Sequence, residues 1–393
     1  MSLSLSQRVQ ALKESGTLGL TARVQQLRAQ GLRVIGFGVG QPDFTTPSHI
    51  REAAKRALDA GHTGYAIPSH GLREVREAVR RKFQQDYQVS YGVEEIMITV
   101  GAKEALYLAF LALLNEGDEV ILPAPYWVSY PEQIRLAQGC PVIVHGRPEN
   151  DFRLTPGELD AALTPRTRIV ILNYPSNPGG FTYSRRDLLQ LAEVLEGRSL
   201  IVISDEMYDR LTYGRDAHAC FASLSRHAWE HTLVVNAPSK SYAMTGWRLG
   251  YAAGPEPLIK AMSKIQSQTT SGTCHFAQFG LAEALTADQK CVDEMRATFD
   301  RRRQLMYRGL CGLKDVTCVE PRGAFYCFPD VSATYDRLGV SDSDGFSQRV
   351  LDEVHVAVVP GSAFGCDRHV RLAYATGDED IIEGLSRLKR LLG

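Results

Sequence analysis

The residues best placed to do chemistry lie between Val235 and Gly254, in the string VNAPSKSYAMTGWRLGYAAG. An apolar strand, Leu233–Val235, runs into a loop containing Pro238. Lys240 follows, and Arg248 stands just before a second apolar run. A lysine held between buried segments loses hydration. Desolvation favours its neutral form, whose lone pair can attack an aldehyde to form an imine. Ser239 adds a hydroxyl and Arg248 a planar fork of donors, a pairing suited to a phosphate. The chemistry implied is that of a small molecule carrying both an aldehyde and a phosphate. Taken on composition alone, the string reads first as a surface loop holding ordinary basic residues.

The elements that must position these residues are legible upstream. From Glu95 onward, strands alternate with helices. Strands are predicted at Ile96–Val100, Val120–Leu122, Val142–His145, Ile169–Leu172 and Leu200–Ser204. Helices are predicted at Lys103–Leu114, up to about Ala137, from the capping box Thr155-Pro156-Gly157-Glu158 to Leu163, and at Arg185–Leu195. This alternation implies an α/β fold with a mostly parallel sheet covered by helices on both faces. Ligands of such sheets bind beyond the carboxyl ends of the strands. Gly101-Ala102, Trp127, Asn173–Gly180, Asp205–Tyr208 and Ser239-Lys240 all fall at such ends. Gly101-Ala102-Lys103 opens a helix whose free N–H groups suit a phosphate. Lys103, in the first turn, sits at the wrong end of the helix for a cation, which calls for an anion nearby. Asp205 emerges from a buried strand, where a carboxylate either caps a helix or finds a positive partner.

On either side the pattern is looser. Residues 1–30 read as a short arm and an amphipathic helix with Leu20, Val24 and Leu27 on one face. Helices are predicted at Ser48–Ala60, from about Leu72, and from Glu256 to Gln268. A long helical stretch is predicted from Phe276 to about Leu313, where Arg301-Arg302-Arg303 reads as a solvated face. Short strands and helices follow from Val316.

SKSYAMTGWRLGY, with SDEMYD, PYWVSYPE and GAFY, closely resembles the class I aminotransferases, which have fold type I and bind pyridoxal phosphate; the bacterial and plant aspartate aminotransferase subgroup is the best match. The resemblance runs from about residue 8 to the C-terminus. It implies a large cofactor-binding domain over 48–285, with 1–47 and 286–393 forming an N-terminal arm and a smaller α/β domain. It makes Lys240 the catalytic, cofactor-carrying lysine. Asp205 becomes the partner of the ring nitrogen, Tyr208 and Asn177 the partners of its phenolic oxygen, and Trp127 the stacked aromatic. Gly101, Ala102, Lys103, Ser239 and Arg248 fall around the phosphate, with Tyr65 reaching the phosphate of a neighbouring subunit. For the substrate it implies Arg371 and Asn177 on the α-carboxylate, with Gly40 and Trp127 beside them. Lys103 falls on a distal carboxylate, assisted by the segment containing Ser15. Three positions depart from the family pattern: Gln41 where glutamate is usual, Gly64 in place of a lysine, and Gly179 in the PSNPGG loop.

The function so implied is transfer of an amino group between aspartate and 2-oxoglutarate by a ping-pong route, in a homodimer with shared active sites. Alternatives are a prephenate or aromatic aminotransferase, a lyase or synthase on the same fold, and a non-catalytic cofactor-binding regulator. A nicotinamide reading of Gly36, Gly38 and Gly40 fails at Pro42, where the dinucleotide fingerprint needs a helix to open.

Bulk properties agree with a soluble enzyme. The chain has 393 residues, 44% of them hydrophobic and 23% charged, with a net charge of −1, which gives no sign of a nucleic-acid partner. Eight cysteines contain no CxxC pair, so no metal site is expected, and scattered thiols suit a reducing, cytoplasmic setting. The longest apolar run, Ala105–Leu114, is too short for a bilayer, which needs about 20 residues.

Overall fold

The structure, a computed structural model, describes residues 3–10, 12, 17–214 and 217–393. Its centre is a seven-stranded sheet. In order across the sheet the strands are Ile96–Thr99, Gly250–Ala253, Thr232–Asn236, Ile201–Asp205, Thr167–Asn173, Glu119–Ala124 and Cys140–His145. Gly250–Ala253 is antiparallel to both its neighbours, and the other pairings are parallel.

Side-chain alternation along the strands explains why both faces are covered. Ile169 and Ile171 point into a cluster with Ala105, Leu106, Ala109 and Met262, from helices Ala102–Leu113 and Glu256–Thr269. Val170 and Leu172 point the other way, onto Leu159 and Leu188 of helices Pro156–Ala162 and Arg185–Leu195. The predicted capping box is present: Thr155 Oγ1 accepts from the Glu158 amide at 3.3 Å, and the Thr155 amide donates to the Glu158 carboxylate at 2.9 Å.

A second group of elements forms around residues from both ends of the chain. Ile35–Gly36 pairs in parallel with Val356–Ala357. Val359–Pro360, Val370–Ala373 and Tyr326–Cys327 form a three-stranded antiparallel sheet. Helix Thr17–Ala29 buries Leu27 against Val34, Leu351 and Ala357, with Val24 beside it.

Two readings of the downstream region need correction. The stretch predicted as continuous is two helices, His275–Thr286 and Lys290–Cys311. The break is fastened by side chains: Gln289 donates to the carbonyls of Ala284 and Ala287 at 3.1 and 2.7 Å, and Asp288 accepts from the Lys290 amide at 2.7 Å. The arginine run is a solvated face only at Arg301, since Arg302 and Arg303 are buried. Arg302 holds Asp43 through two bonds of 2.7 and 2.9 Å and also reaches Asp378, while Arg303 pairs with Asp300 and Glu320. Periodicity alone did not reveal these acidic partners, because Asp43 lies far away in sequence.

Candidate active site

The loops after five like-directed strands meet at one edge of the sheet. Strand Gly250–Ala253 runs the other way, so it presents its beginning, and Arg248 with it, at that same edge. The loops open onto a cleft of about 1290 Å³. Every residue given a site role in the sequence lines this cleft except two. Tyr65 is 83% exposed and lies outside it, and Ser15 falls outside the described residues.

One end of the cleft is built for an anion. Gly101 ends the turn after Ile96–Thr99 and caps helix Ala102–Leu113 with φ +77°, a conformation that favours glycine. A Cβ there would also lie 2.7 Å from Arg248 Nη2, and a Cβ on Gly250 would lie 2.4 Å from the Ala102 nitrogen. Glycine at both positions therefore lets a guanidinium lie against the amino end of a helix. Two positive features in contact require negative charge between them. Lys103 follows, its ammonium 4.9 Å over the Trp127 ring, with its pKa lowered by burial and by Arg248. Ser239 is buried and lines the same cleft.

Mid-cleft, Asp205 ends strand Ile201–Asp205 and is buried. Its carboxylate accepts from the Tyr130 hydroxyl at 2.6 Å and from the Met207 amide at 3.2 Å. Burial pushes its pKa up to about 6, against the lowering effect of Tyr130. A carboxylate desolvated to this degree suits a cationic ring nitrogen. Trp127 contacts Tyr130 edge-on, with ring centroids 5.3 Å apart.

Lys240 stands in the turn after Thr232–Asn236, where the Tyr242 and Met244 amides donate back to the Pro238 and Ser239 carbonyls at 3.1 Å each. Its ammonium donates to the Gly40 carbonyl at 2.6 Å. Burial, with help from Arg371 and Arg248, lowers its pKa to about 8, and Asp205 acts the other way. That value brings a free amine within reach near neutral pH.

Arg371, on strand Val370–Ala373, forms the far wall. It is buried between the rings of Tyr326 and Phe364, at 4.7 and 5.1 Å from their centroids. It donates to Asn177 Oδ1 at 2.8 Å and to the Gly38 carbonyl at 2.6 Å, while its Nε has no partner. Asn177 is itself fixed by its backbone N–H, which donates to Asn173 Oδ1 at 3.0 Å. A buried guanidinium with an unpaired N–H is prepared for a carboxylate. Gly179 is explained by packing: a Cβ would fall 2.1 Å from the Phe181 ring, which stacks on Phe152.

Sequence reading missed Tyr130, Tyr326 and Gly38. Tyr130 and Tyr326 stand inside PYWVSYPE and GAFY, yet nothing local distinguishes them from core tyrosines. Their polar partners come from segments 75 and 118 residues away.

The model of the class I and II aminotransferase family matches residues 33–388. An aspartate aminotransferase of Bacillus subtilis (strain 168) is 44% identical over 390 residues, covering 99% of both chains. A probable aspartate/prephenate aminotransferase of Aquifex aeolicus is 45% identical, covering 100% of this chain and 99% of its own. The crystal structure of an aspartate aminotransferase from Rhizobium meliloti matches with a TM-score of 0.95 at 39% identity, covering 99% of this chain and 98% of that one. The chain belongs to the class I and II aminotransferases. It is an aminotransferase dependent on pyridoxal phosphate, acting on amino acids and their oxo acids.

The cleft fits that cofactor. The guanidinium against a helix amino end suits a phosphate, the buried Asp205 suits a pyridinium, and Lys240 suits an aldehyde. When bound, pyridoxal phosphate supplies an aldehyde that takes up the amino group and a ring that accepts electrons from the α-carbon. Among the described residues no helix is long and apolar enough to cross a membrane.

Proposed function

We propose that this aminotransferase moves the amino group of aspartate to 2-oxoglutarate, the two substrates alternating in one cleft. The observation that carries the choice is Lys103, a cation in the first turn of a helix, lining the same cleft as Arg371. Arg371 would take the α-carboxylate through its fork and Asn177 would steady both, while Lys103 would take the second carboxylate. Gly40 and Trp127 would bound the substrate, with Ser15 assisting. Lys240, kept near a pKa of about 8, would carry the α-proton from the substrate to the cofactor's exocyclic carbon as general base and then acid. Gly101, Ala102, Ser239 and Arg248 would hold the phosphate, Asp205 the ring nitrogen, and Tyr208 and Asn177 the phenolic oxygen. The aspartate/prephenate name of the Aquifex aeolicus relative supports prephenate, which also bears two carboxylates, as a second amino acceptor.

A point charge on a flexible stem tolerates both four- and five-carbon dicarboxylates. Lys103→Ser should therefore lower kcat/KM for aspartate by about 10- to 150-fold, the loss of one charge-assisted hydrogen bond. Phenylalanine should change only a few-fold. Equal falls for both substrates would mean that Lys103 serves the phosphate or the fold, and the dicarboxylate assignment would lose its support.

The working unit in this reading is a cytoplasmic homodimer, in which Tyr65 serves the partner's phosphate. Tyr65 and Ile67, two residues apart in the chain, are 83% and 81% exposed, and a second subunit covering them supports this reading. An active monomer in sedimentation at assay dilution would sink this assignment. Residues 48–285 would form the large unit, with 1–47 and 286–393 the smaller one. Pairing of Ile35–Gly36 with Val356–Ala357 supports that division.

A further inference from the structure

Tyr326 touches three parts of the cleft that come from three distant segments. It lies on strand Tyr326–Cys327, paired with Ala373 two residues beyond Arg371, and is 1% exposed. Its hydroxyl is 2.9 Å from that of Tyr208, and the two rings meet nearly edge-on, 5.9 Å apart. Its ring face carries the Arg371 guanidinium at 4.7 Å. A Cβ on Gly40 would lie 2.5 Å from its oxygen, so the hydroxyl also sits directly against the segment whose carbonyl holds Lys240. A tyrosine needed only for packing would require no hydroxyl at that point.

We propose that Tyr326 is a positioning residue, its hydroxyl orienting Tyr208 toward the cofactor's phenolic oxygen and its ring holding Arg371 in place for the α-carboxylate. The proposal rests on the roles given above to Tyr208 and Arg371. The hydroxyl part follows from proton counting. Tyr208 has one proton, and if it donates that proton to the phenolic oxygen, the bond between the two tyrosines must be donated by Tyr326. Receiving that bond makes Tyr208 the stronger donor, because hydrogen bonds in a chain polarise one another. The ring part follows from desolvation. Arg371 is buried, and the faces of Tyr326 and Phe364 stabilise its charge without occupying the N–H groups that a carboxylate needs.

The test compares Tyr326→Phe, Tyr326→Leu and Tyr208→Phe with the wild type, all loaded with pyridoxal phosphate. The first readout is the pH midpoint of the bound cofactor's absorbance change, which packing alone would not move. A donor on the phenolic oxygen favours its anion and lowers that midpoint. Tyr208→Phe should therefore raise it most. Tyr326→Phe should raise it in the same direction by about 0.3–1 pH unit, the share expected of one neutral hydrogen bond. If Tyr208→Phe moves the midpoint and Tyr326→Phe leaves it in place, the hydroxyl role is overturned. If Tyr208→Phe leaves it in place, the role given to Tyr208 fails first and this proposal falls with it. The second readout is steady-state kinetics. Tyr326→Leu should raise KM for aspartate and 2-oxoglutarate by a common factor of about 2- to 30-fold. Tyr326→Phe, which keeps the ring, should leave KM within about two-fold. A fall confined to kcat in the leucine variant would overturn the ring role.

Discussion

Lys240 and Arg371 are cations with little water around them, and both donate to the backbone of one short segment. Lys240 holds the Gly40 carbonyl and Arg371 the Gly38 carbonyl, each at 2.6 Å. Desolvation is the largest influence on both and lowers the pKa of both. The outcomes differ because the starting values differ. An ammonium lowered to about 8 can give up its proton near neutral pH, so Lys240 becomes a base and nucleophile. A guanidinium starts too high to lose its proton in a protein, so Arg371 stays charged and becomes a clamp. The same burial thus yields two chemistries, selected by residue type.

The largest effect is expected at the lysine. Lys240→Ala should abolish turnover while pyridoxal phosphate still binds without a covalent link. Borohydride should fix the cofactor to Lys240 in the wild type and nowhere in the variant. Labelling at another lysine, or near-normal turnover, would refute the assignment.

Next comes the clamp. Arg371→Leu should lower kcat/KM by about 30- to 5000-fold, the cost of losing a buried charged contact. Because every substrate carries an α-carboxylate, aspartate and phenylalanine should lose by the same factor. A loss confined to aspartate would move Arg371 to the distal carboxylate and undo the contrast with Lys103.

The smallest effect concerns the acid that interacts with Lys240. The Asp205 pKa is raised to about 6 in the folded chain, above its ordinary value of 3.8. Between about pH 4 and 6 the unfolded chain therefore loses this proton while the folded chain keeps it, and stability falls as pH rises. Above pH 6 the cofactor-free protein carries a constant penalty of about 3 kcal/mol for the buried anion. Asp205→Asn should recover much of that in urea unfolding of the cofactor-free protein at pH 7.5, with the gain vanishing toward pH 4. It should also weaken catalysis by removing the charge opposite the ring nitrogen. A cofactor-free variant no more stable than wild type at pH 7.5 would show that Asp205 is better solvated than its burial implies.

Two kinds of position separate what was legible in the sequence from what was not. The strand–helix alternation, the capping box at Thr155 and the loops at the strand ends follow from local periodicity and turn chemistry, and the structure reproduces them within a few residues. Residues on those loops, such as Asp205, Asn177 and Lys240, come together because parallel strands place their carboxyl ends on one edge. Resemblance of motif supplied what periodicity could not, including Arg371. Errors arose where the deciding contact is remote or is a polar side-chain bond. Arg302 is buried by Asp43 and Asp378, and the helix break at Ala287–Gln289 is fixed by side-chain bonds to carbonyls that no apolar pattern records.

The sequence by itself determined the elements, the edge on which the chemistry collects, and the residue types present there. Only the tertiary structure decided how those residues are tuned. Tyr130 against Asp205, Tyr326 against Tyr208 and Arg371, and the carbonyls of Gly38 and Gly40 against two cations all join segments far apart in the chain. The reason is physical: desolvation and hydrogen bonding depend on what lies within a few ångströms in space, and a linear pattern records only what lies within a few residues along the chain.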